Sequence, residues 1–189
     1  MKKISLLFLL SLGVWTFQAC DTKKNDTTEQ AEEANDEKED QGAISSEDDA
    51  EFAVKAASGG LMEVELARMA QQKAQNKAVK DFAAMMIKDH TKANDELKSL
   101  AAQKNITLPS APGNKHQKHI DDLAKVTGAE FDKEYMDLMV EDHEEDVKLF
   151  EEIARDDAED AAIKAFAAKT VPTLKNHLAE AKRIKDSMN

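Results

Sequence analysis

Asn76-Lys-Ala-Val79-Lys-Asp-Phe82-Ala-Ala-Met-Met86-Ile-Lys-Asp-His90-Thr-Lys-Ala93-Asn-Asp-Glu-Leu97-Lys-Ser-Leu100 is the stretch whose reading decides the fold. Val79, Phe82, Met86, His90, Ala93, Leu97 and Leu100 recur at steps of three and four, which puts them on one stripe of an α-helix. Asn76 can cap that helix and Asn105 to Pro109 can stop it, so the spacing predicts a helix from Asn76 to about Lys104. Upstream, Phe52, Ala56, Gly59, Glu63, Leu66 and Ala70 repeat the pattern over about Ala50 to Gln75. Gly59-Gly60 costs that helix about 1 kcal/mol per glycine relative to alanine, which implies close packing or a kink there. Downstream, the loop Pro109 to Gly113 precedes a short amphipathic helix, about Asn114 to Thr127, carrying Ile120, Leu123 and Val126. A third long helix runs from about Ala129 to Arg155. A fourth runs from about Glu159 to Ser187, with Ile163, Phe166, Thr170, Leu174, His177, Ala181 and Ile184 in register and Pro172 expected to bend it.

No stretch shows the period-two alternation of a strand. The expected fold is all-α: an antiparallel four-helix bundle with a short extra helix in the crossover between the second and third long helices. Val79-Lys-Asp-Phe82-Ala-Ala echoes Ile163-Lys-Ala-Phe166-Ala-Ala, and Ala50-Glu-Phe52 echoes Ala129-Glu-Phe131, as a duplicated helical hairpin would.

Each long helix also carries a metal-competent side chain where its pattern calls for a core residue: Glu63, His90, Asp142 or His143, and His177. Inward carboxylates and imidazoles from all four helices are what a bundle-core metal site requires, and they suit Fe, Zn, Cu or Mn. Counted from the turns at ~1.5 Å rise per residue, Glu63 and His90 fall at one level, while His177 falls roughly 9 Å deeper than His143. The expected cluster is therefore Glu63, His90, Asp142 and His143, with His177 a poor fit. The same residues could serve as buried hydrogen-bonded pairs, Glu63 with His90 and Asp142 with His177, that fix helix register. His116 and His119 sit beside Lys115 and Lys118 and read as a solvated face. The methionines, Met62, Met86, Met136 and Met139 among them, read as core filling.

A formal net charge of −12 and a pI near 4.9 leave no basic face for nucleic acid. There is no phosphate-binding glycine loop, no GxSxG and no HExxH. At the start, Lys2 and Lys3 precede a short apolar run, Ile4 to Trp15, and Ala19 precedes the only cysteine, Cys20. That is a lipoprotein signal: residues 1–19 are expected to be removed and Cys20 to carry the lipid that holds the chain to the membrane. Residues 20–48 are acidic and almost without apolar side chains, so they are expected to be a flexible tether, with the bundle over 49–189. The expected location is the bacterial envelope, the outer membrane favoured, facing the periplasm or the surface.

Gly59-Gly60-Leu61-Met62-Glu63-Val64-Glu65-Leu66, then Asp89-His90-Thr91-Lys92-Ala93-Asn94-Asp95-Glu96-Leu97, and His177 between Asn176 and Leu178 resemble the DUF4142 family of bacterial envelope proteins. The resemblance covers about Phe52 to Ile184. It implies a ferritin-like four-helix architecture and an outer-membrane setting, and it leaves the activity undefined. Ferritin-like centres use Glu-x-x-His on two helices. Here Ile87 and Leu174 stand three residues before His90 and His177, so a di-iron oxidase is not expected. The leading functional expectation is a non-catalytic envelope protein of binding, structural or stress-related type, its helix surface contacting a protein partner; the alternative is a metal-binding or redox-protective protein using Glu63, His90, Asp142, His143 and His177.

Overall fold

The computed structural model describes residues 26–44, 46–156 and 160–188, and among them it is all-helical. Cys20 and the signal segment lie outside the described residues. The helices are α1 Thr27–Asp40, α2 Glu47–Lys73, α3 Lys77–Gln103, α4 Asn114–Ala124, α5 Gly128–Arg155 and α6 Ala161–Ser187. Four of these match the long stripes read from the sequence, and α4 is the short crossover helix. Their ends carry the expected chemistry. The Ser46 hydroxyl accepts from Asp49 N (3.2 Å), Asn76 Oδ1 from Ala78 N (2.8 Å) and Asp160 Oδ1 from Ala162 N (2.9 Å). At the end of α3, Asn105 adopts a φ of 60°, and Ile106 N donates to Ala101 O at 2.9 Å, closing the helix in a left-handed cap. Pro172 lies inside α6, which continues through it to Ser187.

The most extensive packing is within two helix pairs, α2 with α3 and α5 with α6; α3 against α6 and α2 against α5 join the pairs. Asp132 ties them at one end. Its buried carboxylate accepts from Gln75 N (3.0 Å) and Asn76 N (2.7 Å), the free amides at the start of α3. Gly60 explains half of the glycine pair: a Cβ there would stand 2.1 Å from Asn94 Oδ1, so α3 approaches α2 where a side chain is missing.

The apolar core has two parts. One holds Met62, Phe82, Met86, Phe131, Tyr135 and Met139; the other holds Phe52, Leu97, Phe150, Phe166 and Leu174. Between the two parts fall buried polar side chains from four helices: Ser58 and Glu63 on α2, His90 on α3, His143 on α5 and His177 on α6. The fold therefore carries a polar layer across its middle.

One expectation is corrected. Residues 27–40, read as part of a flexible tether, form α1 and pack on α2. The tether reading weighed apolar burial alone, and α1 offers little of it, with only Ala31 and Asn35 buried. Polar groups hold it instead. The Asn35 amide donates to Thr107 O (2.9 Å) and accepts from Thr107 N (2.7 Å), and the Thr27 hydroxyl donates to Ala111 O (2.8 Å). Asp26 caps α1 at Thr28 N and α4 at Asn114 N, both at 3.1 Å. The acid at Asp26 followed by Glu29 three residues on is a helix-start signature that the composition argument passed over.

Candidate metal centre

His90 on α3, His143 on α5 and His177 on α6 converge in the polar layer, with side chains 7%, 0% and 2% exposed. Their inward nitrogens are close: His90 Nε2 lies 3.2 Å and His143 Nε2 3.4 Å from His177 Nδ1. The depth argument that set His177 apart is corrected here, and the reason is the direction of Cβ. A helical side chain leans toward the N-terminus of its own helix. On antiparallel neighbours, His143 leans away from the α5–α6 turn and His177 leans back toward it, which closes the gap that counting Cα positions leaves. Glu63 and His90 meet as expected, Glu63 Oε2 standing 2.6 Å from His90 Nδ1.

Each imidazole has its outer nitrogen fixed by an acceptor. His90 Nδ1 faces Glu63 Oε2, His143 Nδ1 faces Met139 O at 2.9 Å, and His177 Nε2 faces Asp89 Oδ2 at 3.2 Å. An N–H donated outward at all three leaves a lone pair on each inward nitrogen. Burial keeps the rings neutral: it lowers His90 and His177 to about 4, and it takes His143 well below the ordinary histidine range, helped by the other two rings. Three inward lone pairs need a proton or a metal ion between them. Two nitrogens bound to one tetrahedral zinc at about 2.0–2.1 Å stand about 3.3–3.4 Å apart, which is the spacing found here. A cavity of about 30 Å³ bordered by Glu63, Asp89 and Asp146 adjoins the His90 ring.

The carboxylates complete the site. Glu63 is 1% exposed, and its Oε1 lies 3.4 Å from His143 Nε2 without a hydrogen-bond partner among the described residues. Asp142 Oδ2 is likewise buried without a donor, and the two carboxyls pair with each other when one is protonated. Glu63, Asp142 and His143 offer ligand atoms within 4.8 Å of one another. Burial, then Asp146, raises Glu63 well above the carboxylate range; burial, then Glu63, does the same to Asp142. Asp146 is raised to about 8 by burial and then by Asp142.

Every residue singled out for the bundle core is therefore brought together: Glu63, His90, Asp142, His143 and His177. The expected Asp142–His177 pair is not formed, because Asp89 takes the outer nitrogen of His177. Asp89 and Asp146 were missed. Asp146 follows His143 by three residues and so shares its face, a signal hidden in a run of surface acids. His116, read as solvated, is half-buried and bonded through Nδ1 to the Ser58 hydroxyl at 2.7 Å.

Among the described residues, three imidazoles and the carboxyls of Glu63 and Asp142 thus meet in one buried polar centre of an all-helical protein. The chain belongs to the DUF4142 family, a domain of unknown function whose profile matches residues 32–184. No curated protein matches it in sequence. Two solved structures share the fold. A DUF305 fragment from Deinococcus radiodurans has TM-score 0.66 and 11% identity, covering 76% of this chain and 99% of that one. CopM in the Cu(II)-bound form has TM-score 0.64 and 19% identity, covering 75% of this chain and 97% of that one.

Proposed function

We propose that this protein is a metal-binding envelope protein that holds one divalent transition-metal ion at His90 Nε2, His143 Nε2 and His177 Nδ1, with Glu63 Oε1 as fourth ligand. The observation that carries the reading is the three inward nitrogens at 3.2 and 3.4 Å, each ring oriented by an acceptor on its other side. Imidazole with carboxylate favours copper and zinc over manganese and iron in intrinsic affinity. The fold shared with CopM in its Cu(II)-bound form supports copper as the first ion to test. Burial on all sides suits storage or sequestration more than turnover, so the protein is read as a non-catalytic binder.

The same proposal takes the four long helices as a ferritin-like bundle. It also takes the chain as anchored by lipid on Cys20 at the outer membrane, facing the periplasm or the surface; the lipoprotein signal, with Ala19 before the single cysteine, supports this. Elemental analysis of protein purified without a His tag, after exposure to Cu²⁺ or Zn²⁺ and removal of loose metal, tests the centre. One ion per chain at the imidazoles, lost in His143→Leu, is expected. Equal metal in the wild type and in His143→Leu overturns it. Cys20→Ser moving the protein from the membrane to the soluble fraction tests the anchor.

A further inference from the structure

We infer that a second cation position lies beside the imidazole centre, between the carboxyls of Glu63 and Asp142, next to the cleft between α1, α2, α4 and α5 that Asp142 and Asp146 line. The inference rests on the imidazole centre proposed above and adds a site to it.

Two buried oxygens, Glu63 Oε1 and Asp142 Oδ2, have no donor among the described residues, and their carboxyls bond each other only if one of them carries a proton. An ion on three imidazoles has one position left in a tetrahedral set, which satisfies one of these oxygens. The other is left facing a carboxylate in a dry layer, which is costly unless a proton or a second cation neutralises it. The repeat in the chain places them as a pair. Glu63 follows Phe52, and Asp142 follows Phe131, by the same interval, at corresponding points of the two echoing helices.

Asp146 joins them from the side of the solvent. It borders both the small cavity at His90 and a cleft of about 430 Å³ that is also lined by Asp142, Glu32, Glu145 and His116, with Lys55 and Lys115 as its cationic side chains. Gly59 keeps that cleft open against Asp146: a Cβ there would stand 4.0 Å from Asp146 Oδ1 and 3.9 Å from His116 Cε1, so any longer side chain projects into the space. Gly59, the first glycine of the pair, thus borders the cleft. Carboxylate oxygens with room for water on one face suit a hard divalent ion of the manganese type, which keeps part of its hydration, and not the softer ion held by the imidazoles.

The test loads the full chain with one equivalent of Zn²⁺, then titrates Mn²⁺, following stoichiometry by native mass spectrometry and bound Mn²⁺ by EPR. The expected result is one Zn²⁺ and one Mn²⁺ per chain, with Asp142→Asn and Gly59→Leu each retaining Zn²⁺ and losing Mn²⁺ binding at least tenfold. A melting curve of each variant with Zn²⁺ checks that it folds, and Asp146→Asn repeats the test where one does not. One Zn²⁺ and no Mn²⁺ in the wild type overturns the second position and leaves the imidazole centre standing, with a proton holding the carboxyl pair. No metal of either kind overturns both.

Discussion

Glu63 Oε2 and His90 Nδ1 stand 2.6 Å apart, on helices α2 and α3, with both side chains buried. That contact decides which nitrogen of His90 faces the other imidazoles. A carboxylate that takes the Nδ1 proton leaves Nε2 free for a metal and makes the ring a better donor. Replacing Glu63 with Gln keeps the shape and removes the charge. The expected outcome is a metal affinity lower by roughly 10–100-fold, the usual effect of losing such a partner. Competition against a chromogenic chelator measures it, and an unchanged affinity removes Glu63 from the centre.

His143 is the cleanest place to separate metal binding from stability. Its Nδ1 meets the Met139 carbonyl, which already serves the helix, and its Nε2 stands 3.4 Å from Glu63 Oε1, on a carboxyl that burial holds toward its protonated form, so His143→Leu removes a buried polar ring without stranding a full charge. Without metal the variant should melt at or above the wild-type temperature. With metal at 100 times its dissociation constant, the wild type should gain about 2.7 kcal/mol and the variant nothing. Melting curves with and without Zn²⁺ give both numbers. A large loss of stability in the metal-free variant would mean that the ring is there for packing.

Metal should enter by displacing a proton. In the metal-free chain the network closes if Glu63 carries a proton toward His90 Nδ1 and His90 Nε2–H donates to His177 Nδ1, whose Nε2–H goes to Asp89. The ion takes the place of that proton, so binding at neutral pH releases about one proton per ion. Titration calorimetry in buffers of different ionisation enthalpy counts it. Zero release would contradict the proton network.

The periodic part of the sequence was enough for four long helices, the crossover helix and the convergence of Glu63, His90, Asp142 and His143, because stripe position on a regular helix is a strong geometric constraint. Three things escaped it. His177 escaped because level was counted from Cα rise, and side-chain lean on antiparallel helices shifts the two imidazoles toward each other. Asp89 and Asp146 escaped because each stands among charged residues, where pattern does not separate a buried acid from a solvated one. Helix α1 escaped because its anchors, Asn35 to Thr107 and Asp26 to Asn114, are polar contacts to distant backbone that no local composition reports.

Helix α1 therefore has its own test. Asn35→Ala removes two hydrogen bonds to the Thr107 backbone, each worth about 0.5–1.5 kcal/mol net, so residues 27–40 should lose roughly 1–3 kcal/mol of local stability. Hydrogen exchange read by mass spectrometry should show protection across this segment in the wild type and faster exchange in the variant. Immediate exchange of the segment in the wild type would return it to the tether.

The last expectation concerns pH, and its sign follows from Asp146. Its folded value, about 8, lies far above that of an unfolded aspartate, so below that value the fold holds a proton that the unfolded chain has released. Such a group adds stability at low pH and loses it as pH rises through the folded value. His90 and His177, lowered to about 4, oppose this while the unfolded imidazoles still hold protons, and are neutral in both states only above about 7.5. The metal-free protein should thus melt at falling temperature between about pH 7.5 and pH 9. A cation beside Asp146 neutralises the carboxylate without a proton, so added metal should flatten the slope. Melting curves over this range with a chelator and with Mn²⁺ decide the point: a metal-free stability that holds level or rises to pH 9 would show that Asp146 ionises freely in the fold.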